Sequence, residues 1–366
     1  MKLTTYFNDF LSNIRLTKNQ VDDLIKGHKT LRERLEGDDT LSKIIVSTFL
    51  QGSYRRSTAV KPKSDQRSDV DVIVVTKLVK DDYTPDEAMK VFEPFMEKYY
   101  KGKYRYQGRS IGIELSYVDL DVVITSAPSE AEEGILETES VETNSTIEEL
   151  EAIVKSYSAY QYNSEVRGFL AFANNEPEWK TSPLHIPDRS VEEWKETHPL
   201  EQIRWTWNKN ASCNGHYINV VKALKWWKRV NDPGNHPKSY PLEHLIGQTC
   251  PDHITSVAEG VTFALEAIVS NHPTKPFLAD HGVPEHDVFA RITDEEYDTF
   301  YKKVQTAATI ARQALDAVTV KESANKWIEL FGSKFPSPPA DTSTNSSSNG
   351  FSSRIEKTTP GGGRFA

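Results

Sequence analysis

Two short apolar segments carry acids at alternate positions, and this pattern restricts the possible fold more than any other feature. DVDVIVV (69–75) sets Asp69 and Asp71 two residues apart, and YVDLDVVIT (117–125) does the same with Asp119 and Asp121. On a β-strand, residues i and i+2 share a face. Each acidic pair therefore projects together, while Val70 and Val72 enter a core. The chain must build a sheet with one well-covered face and gather carboxylates on the other.

Carboxylates aimed at one spot repel unless a cation lies between them. Mg²⁺ suits them, because it takes hard oxygen ligands and keeps positions open for phosphates. On its own, an Asp-x-Asp strand is equally well explained as an edge strand with a wetted acidic face. The segment before it weighs against that. IIVSTFLQGSYRRS (44–57) reads as a strand ending at Gln51, a turn at Gly52 and a short helix. Such a turn offers the Ser53 hydroxyl and backbone N–H groups to the β- and γ-phosphates of a nucleotide. Residues 51–63 hold Arg55, Arg56, Lys61 and Lys63 and no acid. A third carboxylate from 119–121, on a neighbouring strand, would complete a two-metal site for in-line phosphoryl transfer, with the ions roughly 3.5–4 Å apart.

The 366 residues suggest two folded units at about 150 each. Helical spacing marks residues 1 to about 35 and Thr146–Phe172. Strand-like runs fill 44–50, 69–75 and 111–125 between them. Beyond about 190 helical patterns take over, at Tyr217–Val230, Ile254–Ser270, Asp294–Ala317 and Ser323–Phe331. The fold class expected is α+β. A catalytic lobe with a mixed sheet and an N-terminal helix occupies 1–175, and a helical nucleotide-binding lobe occupies 176–335, with a cleft between them. A Ser/Thr/Gly-rich tail (336–366) is too polar to offset the entropy of ordering.

The order Gly52-Ser53, Asp69-Val70-Asp71 and a later strand Asp resembles the nucleotidyltransferases of the polymerase-β superfamily. It is most similar to the branch of cyclic GMP–AMP synthase, oligoadenylate synthase and the bacterial CD-NTases. That family's third Asp precedes a hydrophobic pair, which favours Asp121 (before Val122-Val123) over Asp119. The Ser53–Asp69 interval is longer than is usual there. The resemblance implies Asp69, Asp71 and Asp121 as catalytic residues and ligands of two Mg²⁺ ions. It also implies nucleotide contacts from Gln51, Gly52, Ser53 and Arg55.

In INVVKALKWWKRVN (218–231), Lys225 before Trp226-Trp227 is similar to the family's lysine that reaches the donor triphosphate. Lys222, one turn earlier on the same face, is its rival. KSYPLEHLI (238–246) resembles the family's Ser-Tyr-x-Leu-Glu segment, implying phosphate contact by Ser239 and base stacking by Tyr240. LHIPDRSVEEWKETHP (184–199) looks like the inter-lobe segment of clade D enzymes. Its expected part is structural, with Trp194 as a core anchor and the prolines as turn formers.

The implied reaction makes a cyclic oligonucleotide from ATP and GTP, a cyclic trinucleotide by the clade resemblance. The product would act on an effector in anti-phage defence. The rivals are a linear oligonucleotide synthase, a nucleotidyltransferase acting on RNA or protein, and a non-catalytic nucleotide-binding scaffold. TTPGGGRFA has a slim Gly run that can thread a narrow cleft, and the resemblance to bacterial CD-NTases, some of which are attached to a target by their C-terminus, implies conjugation through Ala366 by an E1-like partner.

Charge and composition remove other classes. The net charge of −9 leaves no broad basic field for coating duplex nucleic acid or an anionic membrane. No apolar run approaches the roughly 20 residues of a spanning helix. Two cysteines, Cys213 and Cys250, give no disulfide framework, which fits a cytoplasmic location. His244, Cys250 and His253 lie close in sequence, but a buried thiol with turn histidines is expected there rather than zinc.

Overall fold

The structure is a computed structural model that describes residues 1–62, 66–127, 183–231 and 236–338. The Thr146–Phe172 helix expected from spacing, Lys63, and the tail with Ala366 lie outside the described residues.

A five-stranded mixed sheet, ordered β1-β2-β5-β4-β3, forms the first half. Its strands are β1 (Ile45–Gln51), β2 (Asp69–Thr76), β3 (Tyr104–Tyr106), β4 (Ile111–Glu114) and β5 (Asp119–Thr125). The run 111–125 is thus two antiparallel strands, joined at a tight turn where the Leu115 N–H bonds to the Val118 carbonyl. β1 runs antiparallel to β2 with Gln51 opposite Asp71, and β2 runs parallel to β5 with Asp71 opposite Asp121. In a parallel pair, facing residues share a side of the sheet. The register therefore brings both acidic pairs to one end of one face.

The other face is mainly apolar, with Thr48 and Thr76 as buried polar exceptions. Val70, Val72, Val74, Leu120 and Val122 pack under α2 (Lys18–Glu36), α4 (Pro85–Lys90) and α5 (Glu93–Tyr100), which contribute Leu24, Leu31, Met89 and Phe95, with Phe92 from the link between α4 and α5. Thr17 starts α2 with a reciprocal capping box to Gln20, which satisfies two donors that the first turn leaves unpaired. On the acidic side, Ile73, Val75 and Val123 are covered by Leu184 and Ile186 of β6 (Leu184–Asp188), which pairs with β7 (Glu193–Thr197). Strand character therefore continues past 190. Pro187 lies within β6 rather than at a turn, and Pro199 opens a helix. Trp194 is half-buried and donates its indole N–H to the Tyr83 carbonyl at 2.8 Å.

The second half is helical: α6 (Pro199–Ser212), α7 (Tyr217–Asn231), α8 (Ser239–Thr249), α9 (Val257–Asn271), α10 (Asp294–Asp316) and α11 (Val320–Phe331). Four of these match the periodicity within a few residues. The helices α6 and α8 do not show in it, because buried polar groups such as Asn210 and Glu243 break their apolar stripes.

The first helix, α1 (Thr4–Ile14), corrects an expectation. Phe7, Phe10, Leu11 and Ile14 pack into the helical core against Trp327, Phe331 and Phe335 rather than against the sheet. Among the described residues, no helix is long and apolar enough to cross a membrane.

Candidate active site

The open, acidic end of the sheet forms the floor of a cavity of about 1080 Å³ that the helical half closes from the other side. That is at the top of the range for sites holding one small ligand.

Of the four acids at this end of the sheet, Asp69 and Asp71 line the cavity while Asp119 and Asp121 lie beside them on β5 without lining it, and the four differ in their partners. Asp119 is ion-paired with Arg67 at 2.8 Å, and Arg67 also approaches Glu114. Asp121 instead accepts from Gln107 Nε2 at 2.9 Å and from Ser110 Oγ at 3.4 Å. Gly112 permits the first of these, since a β-carbon there would lie 2.2 Å from Gln107 Nε2. Burial and the Asp69 charge raise the Asp121 pKa. At Asp71, burial together with Asp69 and Asp121 pushes the pKa to about 7, against the pull of Arg56. Asp69, Asp71 and Asp121 are thus the acids whose repulsion a cation would relieve, while Asp119 already has its counter-charge.

This donor set is all carboxylate, as Mg²⁺ prefers. Among the described residues, no group of three or more His, Cys, Asp or Glu is already assembled as a metal cage. The zinc candidates do not gather either. His244 stacks on His281, Cys250 lies buried beside Cys213, and His253 is exposed on a turn.

Gln51, Gly52 and Ser53 line the cavity where β1 passes into the short helix α3 (Gly52–Arg55). Gly52 has φ +72°, and a β-carbon on it would fall 1.8 Å from Asp71 Oδ2. Any side chain there would strain the backbone and displace the acid. The sequence reading chose Arg55, but its neighbour Arg56 lines the cavity and Arg55 does not. The helical turn after Gly52 directs the second arginine inward.

On the opposite wall, Lys225 lines the cavity and Lys222 does not. Lys225 Nζ donates to Glu243 Oε1 at 2.8 Å, and Arg56 Nε donates to Oε2 at 3.1 Å. Burial pushes the Glu243 pKa up, but Arg56 and Lys225 outweigh it and hold it at about 2. Ser239 is exposed to the cavity at the start of α8. Tyr240 beside it is pinned by a hydrogen bond from its hydroxyl to Asp280 at 2.7 Å, with the Arg56 guanidinium 5.0 Å from its ring centre.

The basic cluster of Lys222, Lys225, Lys228, Arg229 and Lys238 suggests a polyanion site in the sequence without singling out Arg229, one turn beyond Lys225. Arg229 lines the cavity with Nη1 buried and unpartnered among the described residues. Burial lowers its pKa while the charge of Asp69 raises it. Its i+4 spacing from Lys225 was the available signal. The acids, the hydroxyl turn, the cations and an immobilised aromatic ring thus meet across one cleft. Together they can hold a triphosphate, a metal and a base.

Comparison with known proteins agrees. Residues 1–131 match the model of the Second Messenger Oligonucleotide or Dinucleotide Synthetase domain. Over 358 residues the chain is 49% identical to the cyclic AMP-AMP-GMP synthase of Enterobacter hormaechei subsp. hoffmannii (strain UCI 50), covering 92% of this chain and 93% of that one. It is 29% identical to the cyclic AMP-AMP-AMP synthase of an Acinetobacter species, over 93% of this chain and 87% of that one. The di-nucleotide cyclase DncV of Vibrio cholerae, solved with ATP and GTP, superposes with a TM-score of 0.63 at 13% identity, over 91% and 96% of the two chains. That likeness is one of fold.

Proposed function

Since the chain belongs to the bacterial CD-NTases, nucleotidyltransferases that make cyclic oligonucleotide second messengers, we propose that it joins ATP and GTP into a cyclic trinucleotide. The near-full-length relative named for a cyclic AMP-AMP-GMP product supports two adenosines and one guanosine. The observation that carries the reading is the parallel register that sets Asp121 beside Asp71, where Asp69 and Asp71 line a cleft walled by Ser53, Lys225, Arg229 and Tyr240.

Asp69, Asp71 and Asp121 would hold Mg²⁺, taken as two ions, and the metal would supply Lewis-acid stabilisation of the transferring phosphoryl group. Ser53 and Gln51 border the donor phosphates at the Gly52 turn. Lys225, Ser239 and Arg229 supply positive charge and hydrogen bonds from the facing wall. Tyr240 offers a rigid ring for a base, an interaction tolerant of base identity. The acceptor ribose hydroxyl, set beside Asp121, attacks the α-phosphorus, and pyrophosphate leaves. Repetition on the linear product closes the ring.

Incubating the purified chain with labelled ATP, GTP and Mg²⁺ should yield a phosphatase-resistant product with the mass of a cyclic trinucleotide. A product with a free 5′-triphosphate, or none at all, would overturn the reading. In a cytoplasmic defence role against phage, the product acts on an effector. Attachment through Ala366, outside the described residues, predicts a high-mass adduct that vanishes when the last residues are deleted in cells containing the E1-like partner.

A further inference from the structure

The IPD segment ends β6 with Asp188, a carboxylate only 1% exposed. Its Oδ2 takes Arg109 Nε at 2.6 Å and Arg291 Nη2 at 3.0 Å, while Oδ1 takes the Ser190 N–H at 3.1 Å. The two arginines reach it from different halves. Arg109 lies in the β3–β4 turn and Arg291 precedes α10. Both line the cavity, with side chains 43% and 64% exposed.

A guanidinium has five N–H donors. Among the described residues, Asp188 is the carboxylate that each of these two pairs with, through one N–H apiece, so the other donors of both cavity-lining guanidinium groups have no protein partner there. Two cations drawn to one buried carboxylate also leave a positive charge uncompensated. The arrangement therefore has the charge and the free donors to take a second anion. Its place is given by Ser110, the residue after Arg109, whose hydroxyl lies 3.4 Å from Asp121 Oδ1. Lys225 and Arg56, by contrast, are gathered on Glu243 beside the Gly52 turn. The cleft thus has two cationic centres, each organised by its own buried carboxylate.

We propose that Asp188 is a positioning residue that aims Arg109 and Arg291 at the 5′-phosphates of the acceptor chain, holding the linear intermediate until its ring closes. This rests on the nucleotidyl-transfer reading and adds a second phosphate site to it. The chemistry favours phosphate, because the centre carries net positive charge and offers unpaired donors from two directions.

The test uses the full chain and two probes: linear di-adenylate 5′-triphosphate, and the same dinucleotide with its 5′-phosphates removed. Binding is measured in EDTA, so that no turnover is needed. Arg291→Ala should weaken binding of the phosphorylated probe about ten-fold and leave the other within about two-fold. Arg291→Lys should recover part of the loss, since it keeps the charge. In turnover, Arg291→Ala should raise KM for the added linear intermediate far more than it lowers kcat, with linear product accumulating. Asp188→Asn should act in the same direction, and the exposed Arg291 variants decide the matter if that protein folds poorly. Equal weakening for both probes would mean a base contact, and unchanged binding would mean no contact; either overturns the proposal. Absence of pyrophosphate release by the unmodified protein would instead remove the parent reading, while the binding measurements still decide this one.

Discussion

Glu243, on a helix of the second half, binds Arg56 of the sheet half through one carboxylate oxygen and Lys225 of its own half through the other. All three side chains are buried, so one acid fixes the phosphate turn relative to the facing wall. Taking one member from a buried charge network leaves the others without compensation. Glu243→Gln should therefore lower stability by about 3 kcal/mol or more in urea denaturation at pH 7. A carboxyl held at about 2 instead of its ordinary 4.5 contributes its full stabilisation above about pH 4.5 and loses it as pH falls toward 2. The gap between wild type and variant should close over that window.

Asp71 has the opposite sign. Its carboxyl is raised from 3.8 to about 7, so folding disfavours the ionised form. The penalty grows as pH climbs from about 4 to about 7 and then levels off. Asp71→Asn should abolish synthesis, by at least about a hundred-fold in kcat. It should also melt higher than wild type in EDTA at pH 8, by a margin that shrinks toward pH 5. A variant melting lower at pH 8 would contradict the account of the acidic floor.

Lys222 and Arg229 separate by function. Arg229→Ala should raise KM for ATP about ten-fold, the value of one charge-assisted contact. Lys222, off the cavity, should change it by less than about two-fold. Burial, with Arg15 and Lys225 nearby, lowers the Lys222 ammonium to about 7. Wild-type stability should thus rise as pH goes from 7 toward 10.5, and Lys222→Met should flatten that rise in a pH series of thermal melts.

Gly52→Ala tests the turn. The added carbon meets Asp71 Oδ2 in a backbone of positive φ. Both the conformational penalty and the displaced acid should appear, as a loss of about 1 kcal/mol or more in stability and a fall in kcat.

The residues of the acidic strands, the Gly-Ser turn and the Lys-before-Trp helix are local patterns. Alternation and spacing alone put Asp69 with Asp71, and Val70 in the core, because strand geometry has a period of two. The same logic located most helices of the second half from their apolar stripes. What sequence could not decide depended on contacts between distant segments. The counter-ion of Arg67 sets Asp119 apart from Asp121. Which of two adjacent arginines enters the cleft is a matter of backbone direction after Gly52. The packing of α1 on the helical core, the meeting of Arg56 with Glu243 and the gathering of Arg109 and Arg291 on Asp188 join residues far apart in the chain, 187 positions for Arg56 and Glu243 and more for Phe7 and Trp327. Electrostatic pairing of that kind leaves no period in a sequence, since the attraction acts through space and only the folded chain supplies the distance.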